Sequence, residues 1–76
     1  MKSKIVALIA TILEKKNVSI NPIDIDDHFT LRRELGLDSL DLAELTVRIE
    51  NEYGVDIFED GIVETVGEIL EKLERK

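Results

Sequence analysis

The stretch that decides the fold reads Leu35-Gly36-Leu37-Asp38-Ser39-Leu40-Asp41-Leu42-Ala43-Glu44-Leu45, in which a glycine turn leads directly into a predicted helix. Asp38 and Ser39 are both residue types that cap helices. Asp41 follows Asp38 by three positions, as in a capping box with aspartate in place of glutamate. An acidic residue in the first turn also suits the positive end of the helix dipole. The pattern therefore predicts a helix that presents the Ser39 hydroxyl to water at its tip.

This central helix is predicted to run over residues 39–53 and to end at Gly54. At about 100° per residue, one face forms a stripe for the core: Leu42, Leu45, Thr46, Ile49 and Tyr53. The opposite face carries Leu40, Glu44, Val47 and Asn51. Its apolar members are either ordinary exposed residues or part of a surface for a partner, and the pattern leaves both readings open. Arg48 is expected on a flank between the two faces, near Glu44 and Glu52.

Helices are also predicted near both ends of the chain. The first covers about 3–16, with a stripe made of Ile5, Leu8, Ile9, Ile12 and Leu13. The last opens at the capping box Thr65-Val66-Gly67-Glu68, buries Val66, Ile69, Leu70 and Leu73, and ends with the cations Arg75 and Lys76. A short, weak third helix is expected at 59–64, because Gly61 costs a helix about 1 kcal/mol relative to alanine. The sequence thus predicts an all-α fold, a small four-helix bundle with three longer helices and a short third one.

A long loop, residues 17–37, joins the first two predicted helices. Pro22 and the nearby acids argue against a long helix there. Because a loop of this length must be anchored in a compact domain, its apolar residues are expected to pack on the core: Val18, Ile20, Ile23, Ile25 and Phe29. A short helical turn is predicted at 30–35, with Leu31 and Leu35 on one side.

The composition indicates one small soluble domain over residues 1–76, expected to be a monomer in the cytoplasm. There is no cysteine, and no apolar run approaches the roughly 20 residues of a membrane span. The net charge is −7, and the segment 34–60 alone carries −8, with Arg48 as its one base. This balance argues against nucleic acid as a partner. The concentrated negative charge would steer proteins with basic patches towards the central helix, whereas for an arbitrary acidic helix a merely solvated face is the favoured interpretation.

Catalytic chemistry has little support in the sequence. His28 is the one histidine, and no tight acid–histidine spacing accompanies it, so the chain is not expected to be an enzyme. The acidic segment 24–28 lacks the register and the distal glutamate of an EF-hand. We assign no metal site, although weak divalent cation binding by this segment or by the acids of the central helix stays open.

The spaced set Leu-Gly-x-Asp-Ser-Leu-Asp, with Glu44-Leu45 and the Tyr53-Gly54 pair behind it, resembles the acyl carrier protein family. In that family the serine of Asp-Ser-Leu carries a covalent 4′-phosphopantetheine arm. The resemblance therefore implies attachment on Ser39, flanked by Asp38 and Leu40. It implies a carrier of acyl thioesters for fatty acid or related biosynthesis, loaded by a phosphopantetheinyl transferase. Acyl-handling enzymes with basic docking patches would then meet the residues Asp41, Glu44, Val47, Arg48 and Asn51.

Three residues depart from the usual family pattern, namely Arg48, Gly61 and Phe58, the last of which stands where fatty-acid carriers usually have proline. These departures leave the attachment sequence intact and leave the synthase system open. A dedicated carrier for a specialised polyketide, lipid or aminoacyl pathway is one alternative. A cofactor-free acidic helical interaction module and a small metal-buffering domain are the other two.

Overall fold

The computed structural model describes residues 2–59 and 61–75, and three α-helices form its frame. They are α1 (Lys2–Lys15), α2 (Ser39–Tyr53) and α3 (Val66–Glu74), with a 3₁₀ turn at Pro22–Asp24 between the first two. Within the described residues no strand forms, and Thr30 and Thr65 make one isolated antiparallel bridge. The prediction of a small all-helical bundle is confirmed.

The short helix predicted at 59–64 is not confirmed. Residues 57–59 form a turn, Gly61 is a bend, and 62–64 have no regular structure. Gly61 has a φ of 129°, which is incompatible with a right-handed helix, so the glycine ends the turn instead of weakening a helix. Asp60 and the terminal Lys76, which were also part of the predictions, lie outside the described residues.

The apolar stripes of the three helices meet in one core, as predicted. Ile5, Ile9, Leu45 and Ile49 are completely buried, and Ile69 of α3 packs into the same cluster. Some stripe residues are only partly buried at the edge of this core: Leu8, Leu42, Thr46, Tyr53 and Leu70. The fold is therefore held by burial of helix faces, as expected for a chain without disulfides.

The loop between α1 and α2 is anchored, but by fewer residues than predicted. Ile25 is buried, and Ile20 and Phe29 pack partly on the core. The prediction is wrong for Val18 and Ile23, which are 43% and 83% exposed. The 3₁₀ turn that begins at Pro22 directs Ile25 into the core and leaves Ile23 in solvent.

The short helical turn predicted at 30–35 forms as a turn without helix, and it brings the loop to the start of α2. The Leu35 N–H donates to the Thr30 carbonyl at 3.1 Å, and both Leu31 and Leu35 are buried. The Leu31 N–H also donates to the Glu64 carbonyl at 2.8 Å, which ties the turn to the segment before α3. Because these bonds fix the backbone on both sides of Arg32, they determine where its side chain starts.

The helix ends follow the local rules of the sequence. Asn17 adopts a left-handed backbone (φ 64°), and the Val18 N–H donates to the Leu13 carbonyl at 3.0 Å, closing α1 with a Schellman motif. Gly54 ends α2 in the same left-handed region, with φ 69°. Thr65 caps α3, but the carboxylate of Glu68 accepts from the Glu64 N–H, so only half of the predicted capping box forms.

Candidate functional site

The candidate site lies at the start of α2, where Asp38 is the N-cap and Ser39 is the first helical residue. Asp38 Oδ1 accepts from the Asp41 N–H at 2.9 Å, and Asp41 Oδ2 accepts from the Asp38 N–H at 3.0 Å. The predicted capping box with aspartate in place of glutamate is confirmed. Because the Asp38 carboxylate accepts the capping hydrogen bond, the hydroxyl of the exposed Ser39 is not needed as a cap.

One side chain from outside the helix contacts this serine. Arg32 Nη2 donates a hydrogen bond to Ser39 Oγ at 3.0 Å. Sequence reasoning missed this contact, because the two residues are seven positions apart and the turn at 30–35 alone brings them together. No pattern within a helix or strand relates them, so no sequence signal could have found the pair.

Lys16, just after α1, holds the start of α2 in place. Its Nζ donates to Asp41 Oδ2 at 2.6 Å and to the Gly36 carbonyl at 2.8 Å, and it lies 3.8 Å from Asp38 Oδ2. The hydrogen bond from Lys16, assisted by the Asp38 N–H, lowers the pKa of Asp41. The same bond raises the pKa of Lys16, although partial burial works against the rise. Both groups are therefore charged at neutral pH. The Lys16 ammonium, which follows α1, thus links the loop at Gly36 to α2 at Asp41.

A row of cations on α1 continues along one flank of α2. Lys15 pairs with Glu44 at 2.8 Å, and Lys4 pairs with Glu52 at 2.9 Å. Hydrogen bonds from Lys15 and then Arg48 lower the pKa of Glu44. Glu44 was expected on the outer face, but its carboxylate contacts Lys15 of α1 as well as Arg48. The strong negative charge of 34–60 is thus partly balanced by lysines that lie far away in sequence.

Arg48 lies where the helical wheel predicted it, on a flank beside Glu44. Arg48 Nε donates to Glu44 Oε2 at 2.9 Å, and the two side chains are each about one-third exposed (36% and 33%). Glu52, the other predicted neighbour, pairs with Lys4 instead. Glu44 therefore joins two cations, one on each side of it.

The outer face of α2 is open to solvent. Leu40 is 81% exposed, Val47 is 58% exposed, and Asn51 is also exposed. Ile62, in the segment before α3, is 82% exposed. Ile62 is one of the residues that line an open groove of about 650 Å³. The groove is lined by Thr30, Arg32, Arg33, Leu42, Phe58, Ile62, Val63 and Glu64.

The described residues show neither a group of metal ligands nor a helix that could span a membrane. Among residues 2–59 and 61–75, no group of three acidic or histidine side chains is arranged to hold a metal ion. His28 is exposed, and its backbone N–H donates to Asp26 Oδ1 at 2.9 Å, in keeping with the surface position. Over the same residues, no helix combines the length and the apolar character that crossing a membrane requires.

Comparison with known proteins gives consistent matches over most of the chain. Residues 3–73 match a family model described as "Phosphopantetheine attachment site". An acyl carrier protein of Phaeodactylum tricornutum is 39% identical over 79% of this chain and 82% of its own length. The acyl carrier protein of Rickettsia canadensis is 32% identical over 100% of this chain and 85% of its own. That of Thermotoga maritima is 29% identical, with 99% and 94% covered.

Proposed function

The chain belongs to the acyl carrier protein family, and we propose that it carries acyl groups as thioesters on a 4′-phosphopantetheine arm attached to Ser39. The observation that supports this attachment point is the exposed Ser39 hydroxyl at the first residue of α2, inside the Asp38-Ser39-Leu40 frame. The arm ends in a thiol, which supplies the acyl-bearing atom that a chain without cysteine lacks. The protein's own residues supply position and recognition.

The geometry fits a group that a separate transferase attaches. Ser39 Oγ forms a bond to the phosphorus that bears the pantetheine part of coenzyme A. The serine proton passes to a base of the transferase, and adenosine 3′,5′-bisphosphate leaves with the electrons of the broken pyrophosphate bond. A serine that capped the helix would lose its hydrogen bond in this step. Here Asp38 and Asp41 keep the helix start intact, so attachment on Ser39 leaves the capping box in place.

We propose that enzymes with basic docking patches bind the outer face of α2. Leu40, Val47 and Asn51 offer an exposed strip, and the acids Asp41 and Glu44 border it together with Arg48. Electrostatic attraction of this kind is screened over about 8 Å at physiological ionic strength. The association rate with such an enzyme should therefore fall as salt is raised. A rate independent of salt would indicate apolar recognition alone.

The test of attachment is direct. The purified apo protein is incubated with coenzyme A and a broad-specificity phosphopantetheinyl transferase, and its intact mass is measured. Wild type should gain one phosphopantetheinyl group, whereas Ser39→Ala should gain none and should keep its helical circular dichroism spectrum. Ser19→Ala is the matched control, because it removes an exposed serine that lacks the Asp-x-Leu frame.

Two results would contradict the proposal. Modification that persists in Ser39→Ala would place the arm elsewhere. A wild-type protein that takes up nothing would instead support the cofactor-free interaction module. The intact mass of the protein purified from its own host would identify the cargo, and so separate fatty acid synthesis from a dedicated polyketide, lipid or aminoacyl pathway.

A further inference from the structure

We infer that Arg32 binds the phosphodiester formed on Ser39, so that the arm begins at an ion pair instead of at a free surface. The inference rests on the proposed attachment at Ser39. It assigns a ligand-binding role to a residue of the loop, outside both the helix and the attachment frame.

The first support is the contact itself. Arg32 Nη2 already lies 3.0 Å from Ser39 Oγ, the atom that becomes the ester oxygen. The Arg32 backbone is held by the buried neighbour Leu31, whose N–H and carbonyl bond to the Glu64 carbonyl and the Leu37 N–H at 2.8 and 2.9 Å. The guanidinium therefore reaches Ser39 from an anchored turn, even though the side chain is exposed.

The second support is the balance of charge around the serine. A phosphodiester adds a negative charge beside Asp38 and Asp41, which already carry two. Lys16 Nζ donates to the Asp41 carboxylate and the Gly36 carbonyl. Within the described chain, Arg32 is the cation whose hydrogen bond reaches Ser39 Oγ.

The third support is the chemistry of the guanidinium. An ester oxygen is a weaker hydrogen-bond acceptor than a serine hydroxyl, but the phosphodiester offers two non-bridging oxygens that share its charge. Arginine carries five N–H donors in a planar fork that matches such oxygens, and charge-assisted bonds of this kind are stronger than neutral ones. Loading should therefore replace a hydrogen bond from the guanidinium to a neutral hydroxyl with a contact between opposite charges, which ties the turn to α2.

The experiment compares the effect of loading in four proteins: wild type, Arg32→Ala, Arg32→Lys and Arg33→Ala. Arg33→Ala is the matched control, since it removes the same charge from the next exposed position, and within the described residues no hydrogen bond joins Arg33 to Ser39. Each protein is prepared in apo and loaded form, with loading verified by intact mass. Urea denaturation then gives the change in unfolding constant on loading for each.

We expect loading to favour the folded state more in wild type and Arg33→Ala than in Arg32→Ala. The difference in unfolding constant should be about two- to fivefold, the size typical of an exposed ion pair. It should shrink in 1 M salt, where screening acts over about 3 Å. Arg32→Lys should keep part of the effect, because it retains the charge and loses the fork.

A second readout follows the contact directly by NMR. The ³¹P resonance of the loaded protein should move in Arg32→Ala and stay in place in Arg33→Ala. Equal effects of loading in wild type and Arg32→Ala, with no ³¹P difference, would overturn the inference. The inference would also be overturned if Arg32→Ala folds but is never loaded, whereas Arg33→Ala is loaded. Arg32 would then be needed by the transferase and not by the attached phosphodiester. If wild type itself is not loaded, the proposed function fails instead.

Discussion

Replacing Asp38 by alanine tests whether the start of α2 depends on a single side-chain hydrogen bond. Asp38 Oδ1 accepts from the Asp41 N–H at 2.9 Å, and the Asp38 side chain is 62% exposed. Losing an N-cap costs about 0.5–2 kcal/mol, and we expect about 1 kcal/mol here because water can reach the freed N–H. A 76-residue domain has a stability of roughly 4–11 kcal/mol, so the variant should stay folded. Its melting temperature should fall by about 4–8 °C.

Asparagine at the same position supplies the matched comparison, because it caps helices as well as aspartate does but carries no charge. Asp38→Asn should remain within about 0.5 kcal/mol of wild type, the loss being the interaction of the carboxylate with the helix dipole. Urea and thermal denaturation of the two apo variants, followed by circular dichroism, measure both effects. If asparagine costs as much as alanine, the charge and not the hydrogen bond holds the start of α2, and the capping argument is refuted.

Gly54→Ala should lower the free energy of unfolding by about 1–2 kcal/mol in urea denaturation, because φ at this position is 69°. A Cβ there would meet no atom within 4 Å, so the cost is that of the left-handed backbone alone, and unchanged stability would contradict it. Lys16 lowers the pKa of Asp41, so the stability that this carboxylate adds is present above the ordinary aspartate pKa of about 3.9 and is lost as pH falls through the lower folded value. Lys16→Met should bring the Asp41 titration, measured by carboxyl ¹³C NMR, back towards the ordinary value, and an unmoved titration would show that Lys16 is not the cause. Arg48→Ala leaves Glu44 paired with Lys15 of α1, so the free energy of unfolding should hardly change. The association rate with a fatty-acid ketoacyl synthase should rise, because the variant lacks a cation that repels a basic patch. Stopped-flow rates that stay equal or fall would show that Arg48 does not discriminate between partners.

The helices could be predicted because their signals are local. The 3.6-residue period of α1 and α2, the Asp38–Asp41 capping box and the glycine stop at Gly54 all act within a few positions of one another. The exposure of Ser39 could be predicted for the same reason, because it depends on the capping residues next to it. The segment 59–64 could not be predicted in this way, because its apolar residues suit either a short helix or a turn, and Gly61 adopts a φ open to neither helix nor strand.

What the sequence by itself determined is thus the helical frame, the capped start of α2 and the serine that it displays. The tertiary structure alone decided which charges surround that serine. Lys16 reaches Asp41 across 25 positions, Lys15 reaches Glu44 across 29, and Arg32 reaches Ser39 through a turn held by buried leucines. The physical reason is range: hydrogen bonds and apolar periods within a helix are set by neighbours, whereas ion pairs between elements exist only after the core has fixed how those elements pack.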